Sequence, residues 1–173
     1  MRLARPLVFA ALLIPACSSR APARNHGQDG PPQAPQGSGS APPAIPTATI
    51  TLAGSGGPLV IKAEVVKSSG RIQKGLMYRK FLAEDAGMLF LMGDVDDHHF
   101  WMRNTLIPLD ILFIDPQLKV VGILENMQPL DEHSRGVGAP SAYVLEVNAG
   151  WTKAHGVVAG SQVRFDGVEA AAQ

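Results

Sequence analysis

The side chains best suited to chemistry crowd into two stretches. Phe100-Trp101-Met102-Arg103-Asn104-Thr105 runs into Ile107-Pro108-Leu109-Asp110, and Glu146 and Asn148 follow later, with Arg79 upstream. On a strand, Phe100, Met102 and Asn104 would face one side and Trp101, Arg103 and Thr105 the other. Pro108 breaks that strand, which makes Arg103 and Asp110 neighbours across the bend. An aromatic wall, a guanidinium fork and an amide gathered in one place would suit a carboxylate, a sugar or a short peptide. The candidate ligand contacts are therefore Arg79, Trp101, Arg103, Asn104, Asp110, Glu146 and Asn148. A structural reading stands beside this one: Trp101 fills the core, and the Arg–Asp–Glu set is a buried network that closes the fold. Such a network is a weak source of stability, because taking each ion out of water costs several kcal/mol.

Catalysis has little to work with. Asp110 and Glu146 could serve as paired carboxylates of a glycan-directed hydrolase, provided they sit about 5 Å or 6.5–9.5 Å apart. There is no Gly-x-Ser-x-Gly elbow, and Ser134 beside His133 would need adjacent loop residues to cooperate. Gly136-Val137-Gly138 lacks the rest of a phosphate loop. No catalytic residue is assigned, and an enzyme is the less favoured class. Asp94, Asp96, Asp97, His98 and His99 cluster closely, but a calcium loop counted from Asp94 would place His99 where glycine belongs and Thr105 where glutamate belongs. Met88, Met92 and Met102 near the two histidines are soft enough for copper(I), so a copper or other metal carrier is a further alternative. Methionine also fills irregular cores, and a solvated acidic turn explains the Asp run. No metal ligand and no cofactor are assigned.

The elements that must position these residues read mostly as strands. Thr49–Leu52 and Leu59–Val66 alternate, the second with Ile61, Ala63 and Val65 on one face and Lys62 and Glu64 on the other. Arg71–Arg79 has Ile72 and Leu76 at helical spacing, weakened by Gly75. Short apolar runs follow at 87–92, 98–105, 109–115 and 120–126, with Asp115-Pro116-Gln117-Leu118 as a hairpin turn. Residues 130–140 form a polar loop, 142–148 another strand, 151–155 one helical turn ended by Gly156, and 162–165 a last strand. The expected fold is mainly β: a compact barrel-like or sandwich domain of seven to eight short strands with one or two short helices.

Ahead of this domain the chain changes character twice. Arg2 and Arg5 precede an apolar run, Leu7 to Ile14, followed by Pro15-Ala16-Cys17. That order is a secretory signal, and Ile14-Pro15-Ala16-Cys17 resembles a bacterial lipobox, whose cysteine is acylated. The run is too short to span roughly 30 Å of hydrocarbon. Residues 18–46 are rich in Pro, Gly and Ser and read as a disordered tether. The domain is expected over 47–168, with 169–173 as a tail. Four Arg and one Asp fall within residues 1–46, which leaves 11 basic against 14 acidic groups beyond, a net charge of −3. That balance suits neither nucleic acid nor a polybasic membrane patch. Cys17 is the sole cysteine, so the fold holds without disulfides. The expected partners are a lipid bilayer through acylated Cys17 and a small ligand or an envelope protein. Ser18 is not the Asp of an inner-membrane retention signal, which favours the outer membrane in a cell with two.

Gly75-Leu76-Met77-Tyr78-Arg79, Gly87-Met88-Leu89-Phe90, the Phe100–Thr105 and Ile107–Asp110 segments, and Tyr143–Gly150 occur in this order. Together, over roughly residues 59–166, they resemble the domain of unknown function family 192, in which lysine stands at least as often as Arg103. The resemblance implies a compact β-rich domain, often exported in bacteria, and no established activity. The expectation that follows is a lipid-anchored cell-envelope domain, facing the periplasm or exterior, that binds a small ligand or protein partner.

Overall fold

In the computed structural model, residues 44–168 are described; the expected signal segment 1–17, nearly all of the expected tether and the expected tail from 169 lie outside them. Alternating β-branched residues build β1 (Thr47–Gly54) and β2 (Gly57–Val66), a hairpin turning at the Gly54↔Gly57 pair. A crossover carrying α1 (Ser69–Lys74) leads to β3 (Ala86–Asp96), which lies parallel to β2. A parallel pair needs such a crossover, since a tight turn can only reverse the chain. The chain continues through β4 (Leu109–Ile114), β5 (Val120–Met127), β6 (Ser141–Asn148), α2 (Trp151–His155) and β7 (Val163–Asp166). The strands form one mixed sheet in the order β5-β4-β6-β3-β2-β1-β7.

Each face of the sheet carries its own apolar layer. On the inner face, Ile50, Leu52, Ile61, Ala63, Leu112, Leu145 and Val147 pack with Trp151 of α2. On the outer face, Met88, Phe90, Ile111, Phe113 and Val144 are covered by Leu76, Leu82 and Met102 from the connecting segments. Strand β4 is buried along its whole length, as a central strand covered on both faces must be. The sheet curls until its edges meet at one bridge, Lys119↔Gln162, where the Val163 N–H also donates to the Leu118 carbonyl at 2.8 Å. No ladder joins β5 to β7 among the described residues, so the sheet is not closed. The domain is sandwich-like, with seven strands and two short helices among the described residues. The barrel alternative is thereby corrected.

Three local expectations differ from what forms. Residues 98–105 do not make a strand; Phe100 forms a lone bridge with Arg135, and the chain then turns at Asn104, whose φ is 56°. The helix expected over 71–79 stops at Lys74, because Gly75 takes φ 45° and ψ −133°, a conformation closed to residues with a Cβ. The end of the presumed tether also joins the fold. Ile45 packs on the outer layer and the Pro46 carbonyl accepts from the Val65 N–H at 2.7 Å.

Candidate functional site

The outer face of the sheet carries an unusual row. Register aligns Glu64 with Met88, Met88 with Glu146, and Glu146 with Ile111, so two carboxylates share an otherwise apolar face. Glu64 is half-buried and grips Arg79 with both oxygens, at 2.5 and 2.6 Å. That fork raises the Arg79 guanidinium above its ordinary value, chiefly through the hydrogen bond itself. Glu146 has no such partner. It is buried, and its Oε2 makes no hydrogen bond among the described residues. Removal from water pushes its carboxyl up to about 8, against a smaller opposing pull from the Arg79 charge.

Above Glu146 lies a cavity of about 300 Å³, at the small end for ligand sites. Its walls are Phe100, Trp101, Met77 and Met92, and Lys74, Gly75, His99, Thr105 and Ser134 also line it. Gly75 keeps the floor open: a Cβ there would sit 3.4 Å from Phe90 and 3.6 Å from Glu146 Oε2. Phe100 is held edge-on between Phe90 and Phe113, at centroid distances of 5.3 and 5.9 Å. The chain then turns tightly enough to leave Trp101 at the surface, 37% exposed, with Met102 buried beneath. The Tyr78 N–H donates to the Asn104 carbonyl at 2.8 Å, which ties the two rim segments together. Both residues have positive φ, and such strained non-glycine positions gather at functional sites.

The seven sequence candidates divide. Trp101 and Glu146 line the cavity, and Arg79 stands beside it. Arg103 leaves the expected network: its guanidinium lies over the Trp101 ring at 5.6 Å, and with Asn104 it borders the adjoining cleft. Asp110 meets neither arginine. Its oxygens accept from the N–H groups of Asn126, Gly150 and Thr152 and from the Thr152 hydroxyl at 2.6 Å. Asp110 therefore clamps the start of α2 to the irregular β4–β5 pairing. Asn148 is likewise a strap, donating to the Leu82 and Ala83 carbonyls.

The register also bears on hydrolysis. Asp110 pairs with Val147 and Glu146 with Ile111, so the two carboxylates point to opposite faces of the sheet. They cannot flank one glycosidic bond, which corrects the Asp110–Glu146 pairing. The copper set changes as well: Met88 and Met102 are fully buried core residues, while Met77, which the sequence did not suggest, joins Met92 and His99 on the cavity wall. Among the described residues no group of three or more His, Cys, Asp or Glu could hold a metal ion. Gly75, Met77 and Glu64 are the site residues that sequence reasoning did not assign to a site, while His99 was weighed only as a metal ligand. A glycine inside a helical pattern was the one available signal.

The fold is shared with known proteins. The family model DUF192, described as "Uncharacterized ACR", matches residues 50–165. The chain belongs to the DUF192 family. No curated protein matches it. Two solved structures are similar to this DUF192 domain. One, from Sinorhizobium meliloti 1021 and described as a "putative transcription regulator", is 34% identical with a TM-score of 0.69, covering 72% of this chain and 98% of its own. The other, a protein of unknown function from Novosphingobium aromaticivorans, is 36% identical with a TM-score of 0.67, covering 72% and 94%.

Proposed function

We propose that this DUF192 chain is a ligand-binding module of the cell envelope, held to a membrane through acylated Cys17, with its site in the cavity over Glu146. One observation carries the binding reading: a buried carboxyl oxygen without a partner at the floor of an open, aromatic-walled cavity. Native folds pair their buried polar groups, and an exception inside a cleft marks a place where something else supplies the partner. Binding without turnover is favoured because, among the described residues, no hydrogen bond joins Ser134 to His99 as a nucleophile–base pair would require. The envelope location rests on the signal and lipobox pattern of residues 1–17.

Thermal shifts against muropeptides, sugars, amino acids and divalent metals test this reading. By mass action a ligand at 100 times its dissociation constant adds about 2.7 kcal/mol. The expected result is a saturable shift that Trp101→Ala abolishes while remaining folded, since Trp101 lies on the rim rather than in the core. An absence of shifts together with an unfolded Trp101→Ala would overturn it. A metal carrier is a second reading, favoured by Met77, Met92 and His99 sharing the cavity; the His99 Nδ1 bonds the Asp97 carbonyl, which leaves Nε2 for a ligand. Elemental analysis of protein purified without chelator, showing no bound metal, would remove that reading.

A further inference from the structure

We propose that the group seated in the cavity is an alkylammonium ion, with its charge on the Glu146 carboxylate and its stem against Phe100 and Trp101. This inference rests on the binding reading above and specifies its chemistry. Neither nearby arginine is available to an anion in the cavity, although Lys74 stays at its border. Arg79 is held by both oxygens of Glu64, and Arg103 lies over Trp101 beside the adjoining cleft instead of lining the cavity. The unsatisfied group is instead an acid, so its complement is a donor, and a positively charged donor makes the stronger hydrogen bond to a carboxylate.

The walls fit the same guest. Aromatic faces attract cations, and Trp101 already holds one, the Arg103 guanidinium, from the side of the adjoining cleft. The thioethers of Met77 and Met92 add polarizable, uncharged surface for an alkyl stem. The other charged or titratable groups facing Glu146 are few. Arg79 is paired with Glu64, Lys74 borders the cavity as an exposed residue, and His99 lines it. Entry of an ammonium ion ionises Glu146, and its proton leaves to solvent. Binding therefore releases one proton and tightens as pH rises.

The source of the ammonium is either a free amine or the lysine side chain of a peptide. Exposed Tyr78 and Leu130 flank the rim turn, tied to it by backbone hydrogen bonds to Asn104 and Thr105, and give a peptide something to lie on. Calorimetric titration of the full chain with n-butylammonium, N-acetyl-lysine methylamide and neutral butyramide tests the proposal, run in two buffers of different ionisation heat. The expected result is amine binding with about one proton released and about tenfold tighter affinity from pH 6 to pH 7. Glu146→Gln should weaken it at least tenfold. A tenfold preference for the lysine derivative over n-butylammonium assigns the peptide source, and parity assigns the free amine. Butyramide binding without amine binding overturns the ammonium proposal and leaves the cavity reading standing. Binding by none of the three probes, with no thermal shift from the wider ligand set, overturns both. The proton count is read on the unaltered chain, so it holds even if the variant fails to fold.

Discussion

Two buried carboxylates on adjacent strands have opposite circumstances, and their variants should behave oppositely. Asp110 accepts four hydrogen bonds that join α2 to the β4–β5 edge. Asp110→Asn turns an acceptor oxygen into a donor facing other donors and should cost about 3–5 kcal/mol in urea unfolding, the scale of breaking a buried charged network. Retention of full stability would show that the clamp is unimportant. Glu146 is held protonated by burial, so its folded-state value of about 8 lies above the ordinary 4.5. The folded chain thus keeps a proton that the unfolded chain has lost between those values. Its contribution to stability is complete below pH 4.5 and is lost as pH rises toward and through 8, by an amount on the order of a few kcal/mol. Urea midpoints from pH 5 to 9 should fall for the wild type and flatten in Glu146→Gln. An identical slope in both would mean that Glu146 is solvated.

At the scale of elements, close approach between central strands governs tolerance. Gly87 on β3 has the Glu146 carbonyl 2.7 Å from where a Cβ would stand, with Ile61 and Leu145 at 3.3 Å. Gly87→Ala must part β3 from β6 or push β2 away, and a loss of about 1–3 kcal/mol is expected, read as a lowered Tm. A neutral effect would mean the strands have room the structure does not show. Elements also mark where sequence reading succeeded. The alternation of 59–66 put Ile61, Ala63 and Val65 inward and Glu64 outward, as found. The Asp115–Leu118 hairpin forms with the Asp115 carboxylate accepting from the Lys119 N–H. The segment 98–105 misled because its alternation is real through Met102, with Phe100 and Met102 packed into the outer apolar layer. Asn104, tolerant of positive φ, then turns the chain where a β pattern would continue.

For the whole molecule, the envelope reading makes anchoring separable from folding. Cys17→Ala should move the chain from the membrane to the soluble fraction with the domain's Tm unchanged, since stable anchoring needs acyl chains that the variant cannot carry. Continued membrane association would place the anchor elsewhere. The sequence by itself determined the mainly β class, the order of its elements, the family resemblance and the aromatic–acidic stretch from which a site could be built. Those properties are local: they follow from side-chain periodicity, turn chemistry and motif order, each readable within a few residues. Only the tertiary structure decided that the sheet stays open, that Asp110 is a clamp, that Arg79 belongs to Glu64, and that Glu146 Oε2 has no hydrogen-bond partner among the described residues. Those outcomes depend on strand register across residues far apart in sequence. A shift of one place sends a side chain to the opposite face of the sheet, and one such place separates Asp110 from Glu146.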